Sequence, residues 1–226
     1  MVILAVDTSG RDGSLALCRG DATSFKVLGL TSLEGGTYSA RLIPAIGDLL
    51  HNAGLTKSQI DGFVVVDGPG SFTGLRVGLS TVKALCEILQ KPLTVVSMLE
   101  ALAVTYGKKG EDANPVLDAG RGEVYVGEYH VGAHGASLVE QFILKLESLV
   151  RNAQSIRSRI LTTFSKLTEA LAATSATATL VEPLHADAIA RIGLHKLLAG
   201  DTADPAALDA NYIRRSDAEL FSLPKR

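Results

Sequence analysis

The sequence predicts an α/β protein of two lobes, the second reduced relative to the first. Short β-branched runs alternate with stretches of helical periodicity through the first half, and the strand–turn–strand signal restarts near Asn114. The chain is 226 residues long and 46% hydrophobic, enough to bury a sizeable core. The expected division is an N-terminal lobe over residues 1–108 and a smaller C-terminal lobe over residues 109–226.

Val2 to Val6 form a β-branched run stopped by "DTSGRDG". "SLALCRG" and "DATSFKVLGLT" follow across Gly/Asp turns, predicting an antiparallel meander. In "TYSARLIPAIGDLLHNAGL", Leu42, Ile46, Leu49 and Ala53 share one stripe and Arg41, Asp48 and Asn52 another, which is helical periodicity. Proline is tolerated near a helix's first turn, so Pro44 places the start around Ser39, with Gly54 as the stop. "IDGFVVVDGPG" reads as an unbroken apolar strand, and a helix then separates it from the strand "KPLTVVSM", predicting a parallel crossover. Three meander strands followed by helix, strand, helix, strand are the order of the ribonuclease-H-like half-domain of actin, sugar kinases and chaperone ATPases, an analogy of order alone.

From Asn114, "NPVLDAGRGEVYVGEYHV" reads as strand, turn, strand, with "GAHGAS" as the next hairpin turn. Glu147 to Glu182 is rich in Ser, Thr and Ala, and its weak periodicity predicts only a mixture of helix and strand. "HADAIARIGLHKLLAG" places Ile189, Ile192 and Leu197 on one helical face ending at Gly200, and the tail is expected to be ordered around Tyr212 and exposed after Phe221.

A net charge of -2 provides no global field for nucleic acid and disfavours RNA binding by this chain alone. Cys18 and Cys86 lack metal or disulfide spacing and read as buried reduced thiols. The first residues carry no basic n-region before Asp7, and no apolar run is long enough to span a bilayer. A soluble cytoplasmic protein with no membrane partner is expected.

"DGPGSFTGLRVGLSTVKAL", Asp67 to Leu85, resembles a phosphate-cradling loop, yet a Walker-type loop needs Lys after its last glycine and here Leu75 and Arg76 follow Gly74. The Gly-x-Ser-x-Gly elbow also fails, since Ser71 adjoins Gly70. Ser71 reads better as a helix N-cap, with anion binding at that N-terminus left open. Along the helix Arg76, Ser80, Lys83, Glu87 and Gln90 form one polar stripe and apolar residues fill the other directions, so cover from a second side is expected. Gly74 and Gly78 leave a groove for close backbone approach, matched by the small residues Ala40, Pro44, Gly47 and Gly54 of the preceding helix. Two arrangements satisfy this pattern: the helices pack on each other within one lobe, or together they form an exposed patch for another protein. The second is the reading adopted, with contacts at Ala40, Ile43, Pro44, Gly47, Gly74, Leu75, Gly78, Leu79 and Val82. On this reading Gly78→Leu abolishes the complex and leaves the monomer folded.

These residues closely resemble the TsaB (YeaZ) family, accessory to bacterial synthesis of threonylcarbamoyladenosine beside the tRNA anticodon. The likeness is carried by "ILAVDTS", "DGPGSFTGLRVGLSTVKAL", "LDAGRGEVYVGEY" and "NYIRRSDAELF". It implies a two-lobed fold of the ASKHA (actin-like ATPase) type whose N-terminal lobe pairs through two helices with a TsaD-like catalytic paralogue, joined by the ATPase TsaE. It also implies a non-catalytic activating subunit that meets tRNA only indirectly. The His-x-x-x-His metal pair of TsaD-like enzymes falls here at Tyr38 and Leu42, so no metal is expected. Many family members carry His where this chain has Tyr38. Relatives often show a Gly-x-Gly turn where this chain reads "LTTFSKL", Leu161 to Leu167, which makes phosphate approach harder.

Asp7, Ser9, Ser71 and Thr73 are the candidate nucleotide or anion contacts. Asp7 sits where nucleotide-binding relatives of the fold bridge a metal, and capping the turn after the first strand is its other reading. No tightly bound cofactor is expected, and ATP or ADP only at a subunit interface. His130 and His134 read as surface residues of a hairpin. Asp118, Arg121 and Glu123 fit either a solvated turn or a polar contact across the lobes or to a partner. The alternative function is an ATPase or kinase of the ASKHA type, or a glycoprotease-like hydrolase, acting alone. The incomplete Walker loop, metal pair and serine constellation weigh against it. Self-association through the helix patch, giving a homodimer in the partner's absence, is a third possibility.

Overall fold

The computed structural model describes residues 1–211, apart from 134, 157, 173 and 175, together with residue 213. The chain opens with β1 (Val2–Asp7), β2 (Gly13–Gly20) and β3 (Phe25–Leu33), followed by α1 (Tyr38–Asn52), β4 (Gly62–Gly68), α2 (Phe72–Leu89), β5 (Leu93–Ser97) and α3 (Met98–Tyr106). The second half repeats this order with β6 (Asp112–Gly120), β7 (Glu123–Val131), β8 (Ala136–Lys145), α4 (Leu146–Asn152), β9 (Arg159–Thr162), α5 (Ser165–Leu171), β10 (Ala178–Leu180) and α6 (Ala186–Leu198).

Both sheets have five strands, ordered β3-β2-β1-β4-β5 and β8-β7-β6-β9-β10. In each, the meander is antiparallel and the last two strands join in parallel, as Ala5 opposite Val64 and Asn114 opposite Ile160 illustrate. The second lobe is reduced in its first two helices and its last two strands: α4 and α5 have seven residues each, β9 has four and β10 three.

Every residue of β1 is buried, which requires cover on both faces of the first sheet. α1 and α2 cover one face, and α6 covers the other by laying Ile189, Ile192 and Leu197 across β1, β2, β4 and β5. At Gly193 the backbone of α6 rests on Val64 so closely that a Cβ would collide with that side chain. The third helix of each half thus crosses over: α6 seals the first sheet, while Leu99 and Ala103 of α3 pack with Tyr125, Tyr129 and Leu161 of the second. The boundary at 108/109 falls between the two sheets, and α3 and α6 each pack across it on the sheet of the other half.

Two helices differ in detail from expectation. α1 begins at Tyr38, so Pro44 lies inside the helix, beyond its first turn. Pro44 is exposed on the outer face and withholds the N–H that would have met the carbonyl of Ala40. α3 carried no assignment from sequence because its first six residues, Met98 to Ala103, are all buried, leaving no polar face to mark a helical stripe. Tyr212 and the segment beyond Phe221 lie outside the described residues.

Candidate partner face and interlobe cleft

The two helices singled out from sequence lie side by side, but their small-residue stripes point different ways. α2 starts as expected: Ser71 is its N-cap, the hydroxyl accepting from Gly74 N at 3.3 Å, and the helix ends at Gln90 in the left-handed conformation. Gly74 and Gly78 then turn inward. A Cβ on Gly74 would strike the Thr8 carbonyl and crowd the Tyr38 ring, and one on Gly78 would strike the Thr8 hydroxyl. Thr8 Oγ1 in turn donates to Gly74 O at 2.7 Å, locking the end of β1 against the helix.

Leu75, Leu79 and Val82 lie in the same core. Gly74, Gly78, Leu75, Leu79 and Val82 are therefore spent inside the lobe and offer a partner no free surface. Leu at Gly78 would collide with Thr8, so that substitution cannot leave the monomer intact.

The outward stripe of α1 is different. Ala40, Ile43, Pro44 and Gly47 are all exposed, Ile43 at 56% of its surface, and a Cβ on Gly47 would meet nothing within 4 Å. Beside it, α2 presents the expected polar stripe flanked by Phe72, Ala84 and Ile88, the last 72% exposed. The Arg76 guanidinium sits over the Phe72 ring at 3.8 Å. Lys83 Nζ donates to Leu208 O at 2.8 Å, tying the C-terminal segment along α2. The outer surface of this pair carries a short apolar stripe on α1, bordered by exposed Arg41, Asp48 and His51, and is mixed at α2.

Between the lobes, Asp7 ends β1 at a cleft of about 770 Å³ whose walls include Ser9, Arg11, Asp118, Tyr125 and His185. An adjoining hollow of about 670 Å³ shares Ser9, Arg11 and Asp118 and adds Ser71 and Thr73 from the start of α2. Asp7, Ser9, Ser71 and Thr73 are thus brought to two neighbouring hollows, although three of the four, Asp7, Ser9 and the N-cap Ser71, are committed to the fold. Asp7 Oδ1 accepts from Ser9 N at 2.9 Å and Ser9 Oγ at 2.7 Å, a capped turn. Burial pushes the Asp7 carboxyl up, against the lowering pull of the Ser9 hydrogen bonds and of His185.

Tyr38 is buried, and its hydroxyl lies 3.1 Å from Gly10 O and 3.0 Å from Arg11 O. It pins the β1–β2 loop to the start of α1, and burial raises the phenol to about 12. Leu42, four residues on, is buried in the core.

In the second lobe Thr162 closes the turn of the "LTTFSKL" segment: its Oγ1 donates to Val116 O at 2.8 Å and accepts from Phe164 N at 3.0 Å. Asp118 both lines the cleft and caps its hairpin, accepting from Gly120 N at 2.9 Å. His130 is exposed and pairs with Asp112 across the β6–β7 ladder at 2.8 Å. His134 lies outside the described residues. Sequence reading did not single out Arg11, Tyr125 or His185, nor a second polar cluster around Asp67. These residues come from separate elements, and no local spacing announces them.

Two lobes of identical strand order facing a cleft, with a carboxylate closing the first strand, define the actin-like ATPase (ASKHA) class of fold. The activator of a 2-hydroxyisocaproyl-CoA dehydratase from Clostridium difficile shares that fold at 10% identity, with a TM-score of 0.50 over 89% of this chain and 97% of that one. Much nearer is a Pseudomonas aeruginosa protein described as similar to the peptidase YeaZ, with a TM-score of 0.76 and 25% identity over 94% of this chain and 99% of that one. The family model described as TsaD, tRNA N6-adenosine threonylcarbamoyltransferase, matches residues 35–193. The tRNA threonylcarbamoyladenosine biosynthesis protein TsaB of Bacillus subtilis is 36% identical over 143 residues, covering 63% of this chain and 60% of that protein. Its Escherichia coli namesake is 32% identical over 137 residues, covering 60% of this chain and 58% of that one. The chain belongs to this threonylcarbamoyltransferase family, in its TsaB (YeaZ) branch. The alignments span about three fifths of the curated relatives' length.

Proposed function

We propose that the protein is a non-catalytic, activating subunit in threonylcarbamoyl transfer to the tRNA adenosine beside the anticodon. Its partner is a TsaD-like paralogue, docked on the outer face of α1 and the adjoining flank of α2, and a TsaE-like ATPase joins the pair. The observation that carries this reading is the outward stripe of Ala40, Ile43, Pro44 and Gly47, an apolar helix face on a lobe whose core is already complete beneath it. In the absence of the paralogue the same face pairs with itself.

Reactivity is left to the paralogue. Asp7 is taken up by Ser9, and Tyr38 and Leu42 stand where the metal-binding histidines of TsaD-like enzymes would be. On this reading the chain holds no nucleotide tightly by itself, ATP or ADP is met only where subunits join, and tRNA contact is indirect.

A drop-out reconstitution tests the reading. TsaD-like and TsaE-like proteins, threonylcarbamoyl adenylate and tRNA are combined with and without this chain, and modified adenosine is measured. Modification that depends on the chain is expected. Equal modification without it, or modification by this chain alone, contradicts the proposal.

A further inference from the structure

Where the lobes meet around α3 and α6, a second hollow of about 250 Å³ lies among Asp67, Glu100, Lys196, Tyr129, Gln141 and Asn211. These come respectively from the end of β4, from α3, α6, β7 and β8, and from the segment after α6, so both lobes and the C-terminal segment contribute. Most of the polar atoms are engaged. Lys196 Nζ donates to Glu100 Oε2 at 2.8 Å and Val95 O at 3.1 Å, joining the two exchanged helices. Gln141 Nε2 donates to Asn211 Oδ1 at 3.1 Å, and the backbone N–H of Asn211 donates to the carbonyl of Asp67 at 2.8 Å. The exception is Asp67 itself, whose Oδ1 is buried with no hydrogen-bond partner among the described residues.

The charged and titratable groups facing Asp67 are Lys196 from α6, Glu100 from α3 and Tyr129 from β7, and β8 and the C-terminal segment bring the neutral amides of Gln141 and Asn211. One ammonium serves two carboxylates, and its hydrogen bond goes to Glu100. An ionised, buried Asp67 must recruit a donor, either by drawing Lys196 from Glu100 or from water in the hollow, which has room for several molecules at about 30 Å³ each. A neutral Asp67 needs neither.

We propose that Asp67 is a proton-controlled latch at the lobe junction: protonated, it stays seated and the segment carrying Asn211 is held against β4, and ionised, it loosens that hold. Burial, the largest influence, raises Asp67 from 3.8 to about 6, Lys196 opposing the rise and Glu100 adding to it. Because the folded value lies above the unfolded one, the proton's contribution to stability is complete below about pH 4 and is lost as pH rises through about 6. The junction is therefore locked in mild acid and released at neutral pH. The released strand end leads directly through Gly68 to Ser71 into α2, so the loosening occurs next to the proposed partner face. The latch itself does not depend on what binds there.

Amide exchange at Asn211, followed by NMR and corrected for intrinsic rates, tests the latch. Protection in the full chain is expected to fall about tenfold between pH 5 and pH 7.5, the ratio that the one unit between pH 5 and the seated value of about 6 represents. In Asp67→Asn the fall should vanish. Protection that ignores pH in the unaltered chain, or that falls equally in Asp67→Asn, overturns the latch. Should Asp67→Asn fail to fold, the carboxyl carbon of Asp67 in the unaltered chain decides: titration near pH 6 supports the latch, and a midpoint below about 5 overturns it.

Discussion

Thr8 shows how one side chain settles what a sequence pattern leaves open. Two glycines four residues apart on a helix say that something approaches closely, without saying what. Here it is the end of β1, with the Thr8 carbonyl against Gly74 and its hydroxyl against Gly78. Gly78→Leu is thus an overpacking change. It should destabilise the isolated chain by about 2 kcal/mol or more in urea unfolding, and an unchanged midpoint would refute the Thr8 contact. Ser71, by contrast, was legible from sequence, because capping is a local interaction between a hydroxyl and an amide three residues on. Asp7 was legible in place and in role, since Ser9 follows at the spacing an Asp turn uses. Asp67 stood in the most distinctive motif of the chain, yet its chemistry stayed hidden, because Glu100 and Lys196 reach it from positions 33 and 129 residues further along.

At the level of elements, periodicity served well wherever one face met water. α1 and α6 declared their stripes through Leu42, Ile46 and Leu49 and through Ile189, Ile192 and Leu197, and all six are buried. α3 failed that test because it is wedged between lobes and has no wet face along its first turns. Pro44 placed the start of α1 to within one residue, Ser39 against Tyr38, although it sits beyond the first turn, where it withholds an N–H on the exposed side. α2 divides the prediction made for it. Its inner residues complete the core, while Phe72, Ala84 and Ile88 flank an outward polar stripe, so the proposed partner face narrows to α1 and the edge of α2.

For the whole molecule, the repeated order of strands and helices was visible in outline, since the strand signal restarts near Asn114. The exchange of α3 and α6 was not visible, because which sheet a helix covers depends on long-range packing that no window of sequence contains. The exchange makes the lobes mutually dependent, and the Lys196–Glu100 pair, with side chains 23% and 10% exposed, ties the exchanged helices together. Lys196→Met should leave Glu100 buried without its cation and destabilise the chain by about 3 kcal/mol. Urea unfolding of that variant should still be one transition, and two separated transitions would argue against lobes joined through crossed helices.

The role assigned to the protein rests on α1 meeting another chain. The double variant Ile43→Asp, Gly47→Arg changes two exposed positions, at one of which an added Cβ meets none of the described residues within 4 Å, and should leave thermal stability nearly unaltered. The most direct measurement is co-purification of this variant with a TsaD-like protein, the proposed partner, alongside the unaltered chain. Loss of the complex by a folded variant is the predicted result. A complex of undiminished affinity would show that the partner docks elsewhere.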